Sequence, residues 1–294
     1  MKAPPAVELF TAERSRLVGL AYRMLGSLSD AEDVVQDAWL RWNAADRATI
    51  ETPAAWLTTV VSRLALDRLR ARQRDRADYV GPWLPEPVVI DEADPALRAE
   101  RREGLSLGFL HVLERLKPNE RIAFVLTEVF AEPHQTVSDV LGTTTANARQ
   151  LAHRARTKLA DAAPPPTVAP AETSSVLAAF ALACASGSTD ELLRLLAPDV
   201  VLVSDGGRDH HAARHPVVGL DRVARLVINL AGRRQPDHSV EVVMANGAPA
   251  LLVRQSGCPV LLQSVTVVDG VIRRVHVVVN PDKLRHLDAP VALR

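Results

Sequence analysis

Arg63, Arg68, Arg70, Arg72, Arg74 and Arg76 crowd one short stretch, offset only by Asp67 and Asp75. Such a run is a local positive field able to neutralise phosphates. It is equally a common solvated helix face. A second basic segment, with no carboxylate from Thr143 to Ala160, sets Arg149, Gln150, His153 and Arg154 beside Thr145, Ala146 and Thr157. Small and hydrogen-bonding side chains of this kind suit base edges in a major groove, while Arg154, Arg156 and Lys158 suit phosphates. A third cluster joins Asp33, Gln36 and Asp37 to Trp39 and Leu40. That mixture fits either Trp39 packing on a neighbouring element or burial against a basic partner. Asp205, Asp209, His210, His211, His215 and His276 are residue types that do general acid–base work, and also the usual content of a polar loop. His210, His211 and His215 lack metal-ligand spacing, so neither metal nor cofactor is expected.

The elements that must position these groups read as helices from residue 8 to about residue 160. Ser29-Asp30-Ala31-Glu32 reads as a capping box opening a helix that runs to about Trp42. Ala31, Val34, Val35, Ala38 and Trp42 share one of its faces. Thr52-Pro53 starts a second helix with the stripe Trp56, Leu57, Val60, Val61, Leu64 and Leu69. A third spans roughly Asn119 to Val129. Thr136-Val137-Ser138-Asp139 resembles a capping box for a short helix that stops at Leu141-Gly142, and Thr144 caps a final helix to about Ala160. Ala148, Leu151, Ala152, Ala155 and Leu159 form its core stripe. A short helix, a tight glycine turn and a second helix make a helix-turn-helix, though a plain helical hairpin with a basic face has the same pattern.

The 294 residues carry 35 Lys+Arg and 35 Asp+Glu, so any grip on nucleic acid comes from local patches. Cys184 and Cys258 are expected as two buried reduced thiols. The N-terminus has no signal-like apolar run, and no stretch is apolar enough to span a bilayer, so a soluble cytoplasmic chain is expected. Prolines from Ala162 to Pro170 and again from Pro82 to Pro87 break the helical texture. The expected division is a helical domain at 6–78, a linker at 79–100, a helix-turn-helix domain at 101–162, a Pro-rich linker at 163–172 and a third domain at 173–286.

That third domain reads as two helices over 173–196 with Gly187 between them, a strand from Asp199 to Ser204 and a helix from Leu220 to Ala231. Strands follow at Val240–Ala245, Ala250–Gln255, Val260–Asp269 and Val271–Val279. Asp269-Gly270 fits a two-residue hairpin turn. The sum is an α+β cone enclosing an apolar pocket.

Ala31-Glu32-Asp33-Val34-Val35-Gln36-Asp37-Ala38-Trp39 resembles region 2.2 of the extracytoplasmic-function (ECF) RNA polymerase sigma factors. Ala55 to Val60 and Leu66 to Arg70 resemble their regions 2.3 and 2.4, and Arg149 to Arg156 resembles region 4.2. Trp83-Leu84-Pro85-Glu86-Pro87, Asp205-Gly206-Gly207 and Asn280-Pro281-Asp282-Lys283-Leu284 resemble three signatures of the SigJ-type subgroup, which carries a fused SnoaL-like domain. Arg208 stands where members often have a third glycine, which implies a stiffer loop.

The resemblance implies a multi-domain fold: all-α sigma region 2 and region 4 domains, then an α+β SnoaL-like/NTF2-like cone. Its expected partners are core RNA polymerase (β′ clamp helices and β flap) and promoter DNA. There is room for an unidentified small ligand in the C-terminal pocket, and the free chain is expected as a monomer. Asp33, Gln36, Asp37, Trp39 and Leu40 would meet polymerase. Ser62, Arg63, Asp67, Arg68 and Arg70 would lie at the −10 element. Thr145, Arg149, Gln150, His153, Arg154, Arg156 and Lys158 would serve the −35 element. Trp83, Pro85, Glu86, Asp205, Gly206, Gly207, Asn280, Pro281, Asp282, Lys283 and Leu284 would hold the fused domain as a regulator. Two other readings compete. One is a SnoaL-like cyclase or isomerase merely targeted by the helix-turn-helix, told apart by turnover of a polyketide-like substrate by residues 170–294 against co-purification with core polymerase; the other is a dimeric repressor, which leaves the block at 29–70 unexplained.

Overall fold

A computed structural model describes residues 6–75, 79–89, 106–160, 169–208, 210, 212–233 and 235–288. The chain divides into two compact units, in the main Met1–Ala77 with Val112–Ala163, and Asp78–His111 with Pro164–Ala292.

The first unit begins with α1 (Ala6–Leu25), α2 (Leu28–Ala44) and α3 (Pro53–Asp75). Gly26 ends α1 at φ 68°, which leaves Ser27 as the only position for a cap. Its hydroxyl accepts the Asp30 amide at 3.2 Å. The cap therefore lies two residues ahead of the expected Ser29–Glu32 box. The apolar face of α2 is as the periodicity reads: Ala31, Val34, Val35, Ala38 and Trp42 are all buried. The Trp42 ring lies 5.6 Å from that of Trp56. On α3 the buried arc differs from the expected stripe. Leu57, Val61 and Leu69 are buried, but Val60 and Leu64 are half-buried, and Thr58, Ser62, Ala65 and Leu66 take the interior. The reason is that α3 packs on α1 and α2 and also on two later helices, Pro118–Phe124 and His134–Leu141.

The next helices along the chain are α4 (Leu107–Leu113), α5 (Pro118–Phe124), α6 (His134–Leu141) and α7 (Thr145–Ala160). The expected helix at 119–129 is present, but its second half, Val125–Val129, widens to a π turn. The Thr136 cap is not: Pro133 caps α6 with φ −65°, so Thr136 lies inside the helix and its hydroxyl faces Glu132 at 3.4 Å. Gly142 closes α6 at φ 62° and the Thr144 hydroxyl accepts the Asn147 amide at 3.2 Å, both as the sequence reads. The α7 stripe is wholly buried.

The second unit packs α8 (Pro170–Ser186), α9 (Thr189–Leu195) and α10 (Leu220–Ala231) against a six-stranded sheet. The helix α8 starts inside the span expected as a linker, and residues 163–168 lie outside the described residues. The strands are β1 (Leu196–Asp205), β2 (Val217–Val218), β3 (His238–Ala245), β4 (Ala248–Gln255), β5 (Cys258–Val268) and β6 (Val271–Val278), in the order β2-β1-β6-β5-β4-β3. Three two-residue turns, Asn246-Gly247, Ser256-Gly257 and Asp269-Gly270, have positive φ at both positions, the geometry that matches strand twist in hairpins. One sheet face, with Leu251, Val265 and Val277, packs on Phe180, Leu192 and Val227. The other, with Val203, Leu252 and Leu262, packs on Leu84, Leu107, Leu284 and Leu287. Cys184 is buried, but Cys258 at the start of β5 is exposed, contrary to expectation.

Trp42 is 1 % exposed and fills the junction of α2 and α3. Trp42→Ala should lower unfolding free energy by about 3–5 kcal/mol, read from the urea midpoint of the first unit.

Candidate nucleic-acid and partner interfaces

Burying one face of α2 turns the opposite one outward. Asp33, Gln36, Asp37 and Leu40 are exposed, Leu40 to 60 %. Trp39 is half-buried, with its ring 5.0 Å from Phe10. Leu40 lies about one turn beyond Asp37 on that outward face.

On α3 the arginines do not stand as a bare field. The Arg63 guanidinium donates to the Asp139 carbonyl at 2.6 Å. Arg68 bridges Asp33 at 3.2 Å and Asp30 at 3.8 Å, and Arg70 reaches Asn119 at 3.2 Å and Asp67 at 3.8 Å. Arg72 donates to the Leu25 carbonyl at 2.6 Å and pairs with Asp30. Exposed pairs of this kind are cheap to exchange for another anion, at about 0.2–1 kcal/mol each. Ser62 is a correction: it is fully buried, and its hydroxyl has no hydrogen-bond partner, so it offers no surface to a strand. Arg76 lies outside the described residues. The sequence reading missed Arg121, fully buried on α5 and paired with Glu114. Burial first, and Arg72 second, push its guanidinium down to about 9.

The turn into α7 places Arg149, Gln150 and His153 on its exposed side. Thr145 is tied to Gln135 at 3.0 Å. The later cations are partly neutralised from behind: Lys158 lies 2.7 Å and Arg154 3.7 Å from Glu120, and Arg156 lies 3.6 Å from Glu128. Burial raises the Glu120 carboxyl, but the Lys158 and Lys117 hydrogen bonds outweigh it and hold it below the ordinary range. Arg154, Arg156 and Lys158 are thus offset by two carboxylates from outside α7.

In the second unit, residues 79–89 are not a free linker: they form a strap across the sheet unit, while 90–100 lie outside the described residues. Asp205, at the end of β1, is wholly buried. Its carboxylate accepts from the Tyr79 hydroxyl at 2.5 Å, the Leu84 amide at 2.7 Å, the Gly207 amide at 3.1 Å and the Lys283 ammonium at 2.7 Å. That fills the acceptor sites of an ionised carboxylate. Lys283 also donates to the Leu84 carbonyl and stands 3.8 Å from the Trp83 ring centroid. Burial, and then Asp205, raise the Tyr79 hydroxyl well above its ordinary range. Asn280 caps α11 (Pro281–Leu284) through the Asp282 amide and donates to Tyr79 at 3.2 Å. Gly207 has φ 63°, and a Cβ there would fall 2.7 Å from the Asn280 side chain, so any other residue would be strained and would displace Asn280. A Cβ on Gly206 would fall 2.4 Å from the His210 carbonyl. Farther along, Pro85 and Glu86 are buried, and His286 contacts Glu86 at 3.1 Å. The Val88 amide donates to the Asn246 side chain at 3.0 Å.

The acid–base candidates do not assemble. Asp205 is consumed by the strap, His210 and His215 are exposed, and Asp209 and His211 lie outside the described residues. His276 is fully buried on β6, its ring 5.5 Å from His111, with both nitrogens lacking hydrogen-bond partners. Burial first, then His111 and Arg274, push it down to about 3.

Two measurements test this unit. Asp205→Asn should cost about 3–5 kcal/mol because Lys283 is left buried without its anion, and less in a Lys283→Met background; denaturant melts of the four proteins read the difference. For His276, the folded pKa is depressed, so the unfolded chain binds the proton first and stability falls as pH drops from 6.5 toward 3. The slope approaches about 1.4 kcal/mol per pH unit, and His276→Leu should flatten it in melts between these limits.

Residues 9–75 match the Sigma-70 region 2 family and residues 106–159 the Sigma-70, region 4 family. The ECF RNA polymerase sigma factor SigJ of Mycobacterium tuberculosis is 40% identical, over 94% of this chain and 92% of its own length. The probable ECF RNA polymerase sigma factor SigI of the same species is 34% identical over 97% of each. The crystal structure of the Mycobacterium tuberculosis SigJ superposes with a TM-score of 0.77 at 37% identity, covering 97% of this chain and 99% of that one.

Proposed function

We propose that this chain, which belongs to the ECF RNA polymerase sigma factors, docks on core polymerase through the outer face of α2, meets the −10 element along α3 and the −35 element with α7, and is regulated by its own C-terminal domain. Membership carries the coarser function: a promoter-recognition subunit that works with RNA polymerase and is not an enzyme. The residues that support the finer reading are those just placed.

Asp33, Gln36, Asp37 and Leu40 offer charge to a basic surface and an apolar group to bury, which suits the β′ clamp helices. Arg149, Gln150 and His153 suit base edges and phosphate near the β flap end of the assembly. Arg63, Arg68 and Arg70 would exchange their present exposed partners for −10 phosphates. A net charge of zero is adequate when polymerase supplies the common scaffold, since two weak modules held together gain effective concentration.

The observation that carries the regulatory reading is the buried Asp205–Lys283 clamp on the strap. In chain order the strap joins the two promoter-reading modules. Fixing residues 79–89 to the sheet removes their extended reach of about 3.3–3.6 Å per residue from that connection. The domain would thus set how far apart the modules can stand, with its pocket open to a small ligand and the free protein a monomer.

Run-off transcription with core polymerase tests this. Cutting after residue 165 and deleting 280–294 should each change transcript yield; equal yields from both and from the intact chain would end the regulatory reading. Asp37→Arg should reduce co-purification with core polymerase about tenfold, and Arg149→Ala should weaken −35 binding by about 1–3 kcal/mol.

A further inference from the structure

We infer that the C-terminal cone binds a small amphipathic acid: a body of one or two rings carrying a hydrogen-bond acceptor at its buried end and a carboxylate at the mouth. This rests on the reading of that domain as a ligand-open regulator and names the chemistry its cavity selects.

A cavity of about 210 Å³ lies among α8, α10 and the sheet, walled by Phe180, Leu202, Val253, Leu261 and Val277. Apolar cavities of about 150 Å³ stay dry and hold a benzene-sized guest, so this one accepts somewhat more than one ring. One wall breaks the pattern. Along β5, Leu261, Gln263, Val265 and Val267 alternate onto the same face, and three of the four pack as apolar core. Gln263 lines the cavity instead, and its buried amide nitrogen has no hydrogen-bond partner. An unmatched buried donor costs stability that leucine at this position would not. An unmatched donor in the wall of an apolar cavity favours a guest that brings an acceptor to it.

The mouth supplies the second half. Arg233 is exposed and His238 half-buried, and both line the opening. The His238 Nδ1 accepts the Gln235 amide at 3.1 Å, so the proton sits on Nε2, which is a donor. Among the described residues lining the cavity there is no carboxylate. Asp237, beside the mouth, is engaged by the Ser256 hydroxyl at 2.9 Å. Positive and donor groups at the rim favour an anionic head. Beyond the mouth, Val240 and Val242, paired in register with Val253 and Leu251, are 40 % and 57 % exposed and extend the apolar floor.

Three probes separate the parts: 6-hydroxy-2-naphthoate, 2-naphthoate, which lacks the hydroxyl, and 2-naphthol, which lacks the carboxylate. They are titrated into the full-length protein by calorimetry. The hydroxy acid should bind most tightly. Gln263→Leu should weaken it about tenfold and leave 2-naphthoate within about twofold, while melting no lower than the parent protein. Arg233→Ala should weaken both acids and spare 2-naphthol. If Gln263→Leu binds the hydroxy acid as the parent does, the acceptor assignment fails while the ligand pocket stands. If none of the three binds at ~1 mM, the pocket reading fails with it.

Discussion

A carboxylate removed from water must be given donors in return, and Asp205 organises the second unit on that account. Its four donors come from the strap, the loop after β1 and α11, segments far apart in the chain. No one of them can leave without stranding a charge or an amide in the interior. The glycines at 206 and 207 follow from the same requirement, since backbone must approach where a Cβ would collide with His210 or Asn280. Three separated sequence signatures are thus one physical object.

The first unit solves the opposite problem. It is built to carry cations at its surface without repelling itself. Each α3 arginine from Arg63 to Arg72 finds a carbonyl or carboxylate nearby, and α7 is backed by Glu120 and Glu128. Most of these pairs are solvent-exposed, so they restrain the side chains without committing them. Arg121 and Glu114 are different: sealed in the interior, they belong to the fold.

What the sequence discloses depends on whether one element or several decide a position. The faces of α2 and α7 follow from their own 3.6-residue period because each packs along one side. The α3 stripe does not, because partners on two sides widen its buried arc and draw Ser62 inside. The caps of α2 and α6 moved by two and three residues, to Ser27 after Gly26 and to Pro133. The run at 82–87 reads as a spacer from its prolines, while Leu84, buried beneath Lys283 and the sheet, was the signal that it docks. Gln263 was legible only as a polar residue in an apolar strand. That it faces a cavity depends on helices from elsewhere in the chain.

The order in which the ribosome delivers these parts adds a consequence. The strap is synthesised long before Asp205, and Asp205 before Asn280 and Lys283. Strands β3 to β6 are joined by two-residue turns and can zip locally, but β1 must wait for β6 to arrive before its parallel pairing closes. Until Lys283 is made, then, the strap lacks the cation that completes its clamp. The clamp on the strap therefore closes only after β6 and α11 have been made, which puts it among the latest contacts of the second unit to form.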